Sequence, residues 1–180
     1  MKQGQSKLKG NAFEVKISKE LSSWISHGER EDLLDRTSNS GGKATMHKKA
    51  GRFFGNIAGD LMAVGVDGHK LTDYFVIELK HQNEQNLNIT NLIFQSADSG
   101  ITVYWKKLLE ECKTTKKYPM LIFRQNSRPI YMALCQQGVQ LLQCQSYITT
   151  IIKLPAKNMH LIPFTVFLTK VTPDHLTIKS

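Results

Sequence analysis

Apolar residues at helical spacing mark the first element of the chain. They form one stripe along residues 11–25, made up of Phe13, Ile17, Leu21, Trp24 and Ile25. This spacing predicts an amphipathic helix whose stripe faces the core. Glu14 lies at the edge of the stripe, where a carboxylate is either a solvated boundary residue or a functional group.

Strand patterns follow at residues 60–66 and 73–80, and Asp67 and Gly68 lie between them. Asp-Gly is a strong turn signal between two strands, because glycine tolerates the backbone conformation that a tight hairpin needs. We therefore predict that the two segments pair as a hairpin.

The second of these strands carries the candidate chemistry. Side chains alternate along a strand, so Glu78 and Lys80 share one face and Leu79 takes the other. If the hairpin is centred on His69, Asp60 lies directly opposite Glu78. Paired positions of this kind have Cβ atoms about 4.5–5.5 Å apart.

The remaining patterns predict a second helix and more strands. The clear segments are a helix at residues 101–112 and two strands, 118–123 and 130–134, around a turn at 126–129. Two weaker segments are a strand at 147–154 and a strand or short helix at 163–170. The order predicts an α/β (α+β) domain with a mixed central sheet flanked by helices. We expect residues 1–136 to form the core and residues 137–180 to form a C-terminal extension packed on it.

Basic residues are concentrated in two stretches that contain no acid, residues 36–52 and 113–128. The first is also rich in Gly and Ser, and such a loop can wrap phosphates with its amides and cations or simply be solvated. The 180-residue chain has a net charge of +9, which favours a polyanionic partner such as DNA. The predicted DNA-binding residues are Lys9, Arg36, Ser38, Lys43, Lys48, Lys49, Arg52, Lys113, Lys116 and Lys117.

Composition argues against several other classes of protein. Cys112, Cys135 and Cys144 are odd in number and lack CxxC spacing, which disfavours a disulfide framework or a zinc cluster. No apolar run approaches the ~18 residues of a membrane span. The first ten residues lack the apolar centre of a signal peptide. We expect a cytoplasmic protein with no membrane partner.

Asp60 and Glu78 together suggest a metal site. Two carboxylates this close repel each other unless a proton or a cation lies between them. Mg²⁺ suits them, because it takes one or two carboxylates and keeps several waters. Lys80 on the same face can hold or polarise a water aimed at phosphorus. The alternative is an ordinary hairpin, in which these three side chains only face solvent.

These residues resemble the PD-(D/E)XK nuclease superfamily. The core of the likeness is Gly59-Asp60 followed by Glu78-Leu79-Lys80, with Gly59 where the motif has proline. Within the superfamily the chain is most similar to archaeal-type and phage-type Holliday junction resolvases. Three features carry that similarity: the helix with Lys9-Gly10 and Glu14, the loop from Arg36 to Ser40-Gly41-Gly42, and Trp105-Lys106 followed by residues 119–124.

The resemblance implies a restriction-endonuclease-like core and a Mg²⁺-dependent DNA endonuclease, with Mn²⁺ as a substitute. The implied catalytic residues are Glu14, Ser40, Asp60, Glu78 and Lys80. The implied metal ligands are Asp60, Glu78 and the backbone carbonyl of Leu79.

The resemblance also implies branched DNA and a second copy of the chain as partners, since junction cleavage in that family uses two active sites of a symmetric dimer. Candidate dimer surfaces are residues 120–123 and the segment after residue 137. Two alternatives remain open. One is the same fold cutting another DNA in restriction, repair or recombination. The other is a non-catalytic DNA-binding protein whose acidic pair is structural.

Overall fold

A computed structural model of the chain describes residues 3–37, 58–82, 89, 92, 100–144, 152–154 and 158–176. Helix α1 spans Gln3–Ile25 and begins earlier than the predicted 11–25. The predicted stripe is confirmed, because all five of its apolar side chains are buried: Phe13, Ile17, Leu21, Trp24 and Ile25.

The predicted hairpin between residues 60–66 and 73–80 is wrong. Strand β1 (Leu34–Arg36) pairs antiparallel with β2 (Leu61–Ala63), so β2 has a different partner. The Asp67-Gly68 pair lies in a 3₁₀ turn, Val66–Gly68, and the chain continues into the short helix α2, His69–Thr72. Helical turns form here in place of a tight reversal, as the Gly68 N–H donating to the Gly65 carbonyl at 3.0 Å shows.

The central strands are joined by the second long helix. Strand β3 (Phe75–Gln82), helix α3 (Gly100–Thr115) and strand β4 (Tyr118–Gln125) follow in order, and β3 and β4 pair in parallel. Strand β5 (Ile130–Leu134) pairs antiparallel with β4, which confirms the predicted turn between them.

Residues from Gln136 onward add two more strands to the same sheet, beyond β5. They form α4 (Gln136–Leu141), β6 (Ile152–Leu154), β7 (Met159–Pro163), α5 (Phe164–Lys170) and a 3₁₀ turn at Pro173–His175. The strand order is β3-β4-β5-β7-β6. The boundary expected between core and extension therefore falls within one continuous sheet, because β7 is hydrogen-bonded to β5.

Helices cover both faces of the five-stranded sheet. On one face, α1 and α5 pack with Ile77, Leu79 and Ile122. On the other face, α3 packs with Val76, Leu121 and Phe123, whose side chains point to the opposite side of the sheet from those of Ile77, Leu79 and Ile122. The predicted fold class, a mixed sheet flanked by helices, is confirmed.

Strand β4 lies inside this sheet, and its residues 120–123 are fully buried. They are therefore not available as a dimer surface, which corrects that expectation. The three cysteines are buried free thiols. No helix in the part of the chain that the structure describes is both long and apolar enough to cross a membrane.

Candidate active site

Strand β3 directs two charged side chains toward helix α3. Val76 belongs to the core cluster under α3, whereas Ile77 and Leu79 belong to the cluster under α1. Because side chains alternate along a strand, Glu78 and Lys80 lie on the α3 face. This part of the sequence prediction is confirmed.

Asp60 reaches the free edge of β3 although it has no strand partner there. Its backbone N–H donates to the carbonyl of Ile77 at 2.7 Å. Its carboxylate Oδ2 accepts the N–H of Leu79 at 2.8 Å. The first bond fixes the main chain of Asp60 against β3, and the second fixes its side chain. Their partners, Ile77 and Leu79, are two residues apart on that strand.

Lys80 joins the two acids. Its Nζ atom lies 3.2 Å from Oδ2 of Asp60 and 2.6 Å from Oε1 of Glu78. The ammonium also lies 5.5 Å from the centre of the Tyr104 ring, within the range of a cation–π contact. We call Asp60, Glu78 and Lys80 the acid–lysine group. The structure thus brings together the three residues that the sequence singled out.

Burial and like charge act together on the group. Burial raises the pKa of Glu78, and the charge of Asp60 raises it further, against the opposing effects of Lys80 and Lys107. Burial alone lowers the pKa of Lys80, but the neighbouring charges of Asp60 and Glu78 outweigh it, so the pKa is raised. Lys80 is therefore an ammonium, and thus a donor, at neutral pH.

Helix α3 contributes side chains that the sequence prediction missed. Tyr104 accepts a hydrogen bond on its hydroxyl from Nε2 of Gln82 at 2.6 Å. Glu111 accepts one from the backbone N–H of Gly59 at 3.0 Å. With Lys107 they occupy positions i, i+3 and i+7, which lie on one helical face. The spacing of these polar residues could be read from the sequence. The sequence did not show that they would face Gly59 and the end of β3.

Gly59 occupies a position that only glycine fits. Its φ of +82° is in the left-handed region, and an added Cβ would lie 2.5 Å from the carbonyl oxygen of Ile77. Proline has φ fixed near −65°, so it cannot take this conformation. The departure of the chain from the Pro-Asp motif therefore has a local physical reason.

The donor set fits a hard divalent cation. Oxygens of Asp60 and Glu78 lie 3.2 Å and 2.6 Å from the same Lys80 Nζ, so both carboxylates are directed at one region. The backbone carbonyl of Leu79 lies on the same edge, because the N–H and C=O of one strand residue point to the same side. Oxygen ligands of this kind are those that Mg²⁺ prefers.

Glu14 and Arg36 pair with each other. Nε of Arg36 donates to Oε2 of Glu14, and Nη2 donates to the side-chain oxygen of Asn11 at 2.8 Å. Both charged side chains are mostly buried. The structure thus gives Glu14 and Arg36 a packing role between α1 and β1, and the metal and DNA roles predicted for them stay predictions.

The predicted DNA-binding lysines at the end of α3 lie away from the acid–lysine group. Lys113, Lys116 and Lys117 line a cleft of about 460 Å³, and Lys113 pairs with Glu110. Lys9 is exposed on α1. The other predicted residues, Ser38, Ser40, Lys43, Lys48, Lys49 and Arg52, lie outside the described residues.

Comparison with known protein families identifies a match. Residues 5–177 match the model of a protein family described as "Phage putative PDDEXK endonuclease". The match spans nearly the whole chain and includes the acid–lysine group. Neither the curated proteins nor the solved structures contain a match.

Proposed function

Because the chain belongs to this phage PD-(D/E)XK endonuclease family, we propose that it hydrolyses phosphodiester bonds of DNA at the acid–lysine group. The observation that carries the proposal is the convergence of Asp60 and Glu78 within 3.2 Å of Lys80 Nζ. Side chains that only faced solvent would not share one partly buried point. A metal-dependent hydrolytic site uses such a group, with acids to hold the ion and a cation beside them.

The proposed cofactor is Mg²⁺, with Mn²⁺ as a substitute. Asp60, Glu78 and the carbonyl of Leu79 would hold the ion. When bound, such an ion polarises a phosphate oxygen and lowers the pKa of water. Burial and the charge of Asp60 both raise the pKa of Glu78, and a divalent cation would offset both effects.

Lys80 has the proposed catalytic role. As an ammonium it can donate to a phosphate oxygen or hold a water molecule in line with phosphorus. Its contacts with Asp60, Glu78 and the Tyr104 ring restrict where Nζ lies. Restricting a catalytic donor in advance lowers the cost of orienting it during the reaction.

DNA backbone contacts are proposed for the lysines of the cleft beside α3. Tyr118 pairs with Phe75 and Phe123 pairs with Lys80, five residues further along β4. Tyr118 is thus roughly 16 Å from the level of Lys80, and Lys117 lies one residue further, at roughly 20 Å. Phosphates along one strand are ~3.4 Å apart in axial rise, so Lys117 would contact the backbone about six nucleotides from the cut.

A four-way junction is the proposed substrate, in line with the resemblance to resolvases. Paired cuts on a junction need two active sites, so this proposal includes a homodimer. Another DNA, linear or flapped, is the alternative for the same site.

A cleavage panel tests the proposal. A labelled four-way junction, a linear duplex and a flap of matched sequence are incubated with the protein in Mg²⁺, in Mn²⁺ and in EDTA. We expect metal-dependent nicking, fastest on the junction and absent in EDTA. Equal rates on all three DNAs would reject junction selectivity only. Binding without nicking of any DNA would support the non-catalytic alternative.

A further inference from the structure

The dipeptide Gly59-Asp60 is anchored through all of its backbone polar groups. The Gly59 N–H donates to Oε1 of Glu111 at 3.0 Å, and the Gly59 carbonyl accepts from the Thr37 hydroxyl at 2.7 Å. The Asp60 N–H donates to the Ile77 carbonyl at 2.7 Å, and the Asp60 carbonyl accepts from the Thr37 N–H at 2.9 Å. Asp60 therefore starts from a main chain that is held on both sides.

These anchors hold a conformation that is locally unusual. Gly59 has a φ of +82° and lies against Ile77 with no room for a Cβ. Its N–H points toward helix α3, where the carboxylate of Glu111 is its acceptor. A carboxylate oxygen accepts this N–H, and a side-chain amide oxygen in the same place could accept it as well. A half-buried N–H that lost this acceptor would carry a desolvation penalty.

We infer that Glu111 is a positioning residue for Asp60, acting through the N–H of Gly59. The inference rests on the proposed function, because it assigns Asp60 a place at the reacting centre. Among the described residues, Glu111 has no hydrogen bond or ion pair with Asp60 or Lys80. Its role is to fix the main chain from which the Asp60 carboxylate projects toward Leu79 and Lys80.

A direct metal-binding role for Glu111 is the rival interpretation. Within the described residues, no cluster of three or more His, Cys, Asp or Glu side chains is arranged to hold a metal ion. The geometry therefore favours action through the backbone over action as a ligand.

Three variants of the full chain separate these roles. Glu111→Ala removes the acceptor, and Glu111→Gln keeps an oxygen acceptor but removes the charge. Glu110→Ala is the matched control, since Glu110 is the exposed neighbour on the same helix and pairs with Lys113. Mg²⁺ binding to the DNA-free protein is measured by calorimetry, with thermal unfolding of each variant alongside.

We expect Glu111→Ala to bind Mg²⁺ roughly 10-fold to 100-fold more weakly, as is typical when a group that orients a metal ligand is removed. Glu111→Gln should restore affinity to within about threefold of wild type, and Glu110→Ala should match wild type. In cleavage assays, the Glu111→Ala defect should appear mainly in the Mg²⁺ concentration needed for half-maximal rate.

Two outcomes would overturn the inference while leaving the proposed function intact. One is wild-type Mg²⁺ affinity in a folded Glu111→Ala protein. The other is a Glu111→Gln protein as weak as Glu111→Ala, which would make the charge itself the essential feature and Glu111 a ligand. If Glu111→Ala does not fold, Glu111→Asp takes its place, because the shorter side chain withdraws the acceptor from the Gly59 N–H and keeps the charge. Normal Mg²⁺ affinity in Glu111→Asp would then overturn the inference.

Failure of the proposed function itself looks different. A wild-type protein that neither binds Mg²⁺ nor nicks DNA would remove the basis for both proposals at once. A wild-type protein that does both, together with weak Mg²⁺ binding in Glu111→Ala and its recovery in Glu111→Gln, supports them together.

Discussion

The carboxylate of Asp60 accepts a hydrogen bond from the backbone N–H of Leu79 at 2.8 Å. Through this bond an acid outside the central sheet is fixed beside Glu78 and Lys80. No strand pairing between β2 and β3 is needed, since the Asp60 N–H is bonded to the Ile77 carbonyl as well. The site depends on the exact conformation of the residues just before β2.

Gly59→Ala should be strongly destabilising for this reason. The added methyl would lie 2.5 Å from the Ile77 carbonyl oxygen, and alanine is strained at a φ of +82°. We expect a loss of about 2–3 kcal/mol in the free energy of unfolding, measured by urea denaturation. Any folded fraction should also bind Mg²⁺ weakly, since Asp60 is displaced.

Gly28→Ala is the matched control for Gly59→Ala. Gly28 also has a left-handed φ, +94°, but nothing lies within 4 Å of the position that an added methyl would take. It should lose only about 1 kcal/mol, the cost of the backbone conformation. Equal losses in the two variants would contradict the close contact between Gly59 and Ile77.

The hydrophobic pattern predicted the part of the site that lies on one strand. A period of two is sufficient to place Glu78 and Lys80 opposite Leu79, whatever β3 pairs with. The pairing of β2 could not be predicted in the same way. Asp67-Gly68 fits a helical turn as well as a hairpin, and the choice depends on β1, which lies before the long basic stretch.

Contacts between distant segments were beyond the pattern altogether. Glu111 and Gly59 are 52 residues apart in the sequence, and their hydrogen bond forms only because the fold places α3 beside the residues that precede β2. The Arg36–Glu14 pair has the same origin, since α1 packs on β1. From the sequence, Arg36 was predicted to contact DNA because it begins a basic stretch. Only the fold shows that its guanidinium pairs with the carboxylate of Glu14.

The pH dependence of stability should report on Glu78. Its pKa is raised in the folded protein, chiefly by burial. The folded state therefore binds more protons than the unfolded state as pH rises past the unfolded pKa of a glutamate, and stability is lost over that range. In EDTA, wild type should lose stability relative to Glu78→Gln as pH rises above about 4, as measured by urea denaturation.

Asp67→Asn provides a control of opposite sign. The hydrogen bond from Lys70 lowers the pKa of Asp67, so its contribution is present above the unfolded pKa and is lost as pH falls. Wild type should therefore gain stability relative to Asp67→Asn as pH rises toward about 4, the unfolded pKa of an aspartate, and the difference should then level off. If wild type instead gained stability relative to Glu78→Gln as pH rose, the raised pKa of Glu78 would be contradicted.

Arg36→Ala should act on stability before it acts on DNA. Its removal leaves the Glu14 carboxylate mostly buried without its cation. We expect a loss of about 1–3 kcal/mol, measured by urea denaturation. Arg30→Ala should leave stability unchanged within error, because its pair with Asp32 is on the surface. Unchanged stability in Arg36→Ala, with weakened DNA binding, would return Arg36 to the role predicted from sequence.

The single-turnover rate of Mg²⁺-dependent DNA nicking, compared between wild type, Asp60→Asn and Asp67→Asn, tests the acid–lysine group most directly. Asp60→Asn keeps the shape of the side chain but removes the charge that would hold the ion beside Glu78. We predict more than about a hundredfold loss of rate for Asp60→Asn, DNA affinity close to wild type, and wild-type behaviour for Asp67→Asn. A folded Asp60→Asn protein that nicks DNA at the wild-type rate would contradict the account.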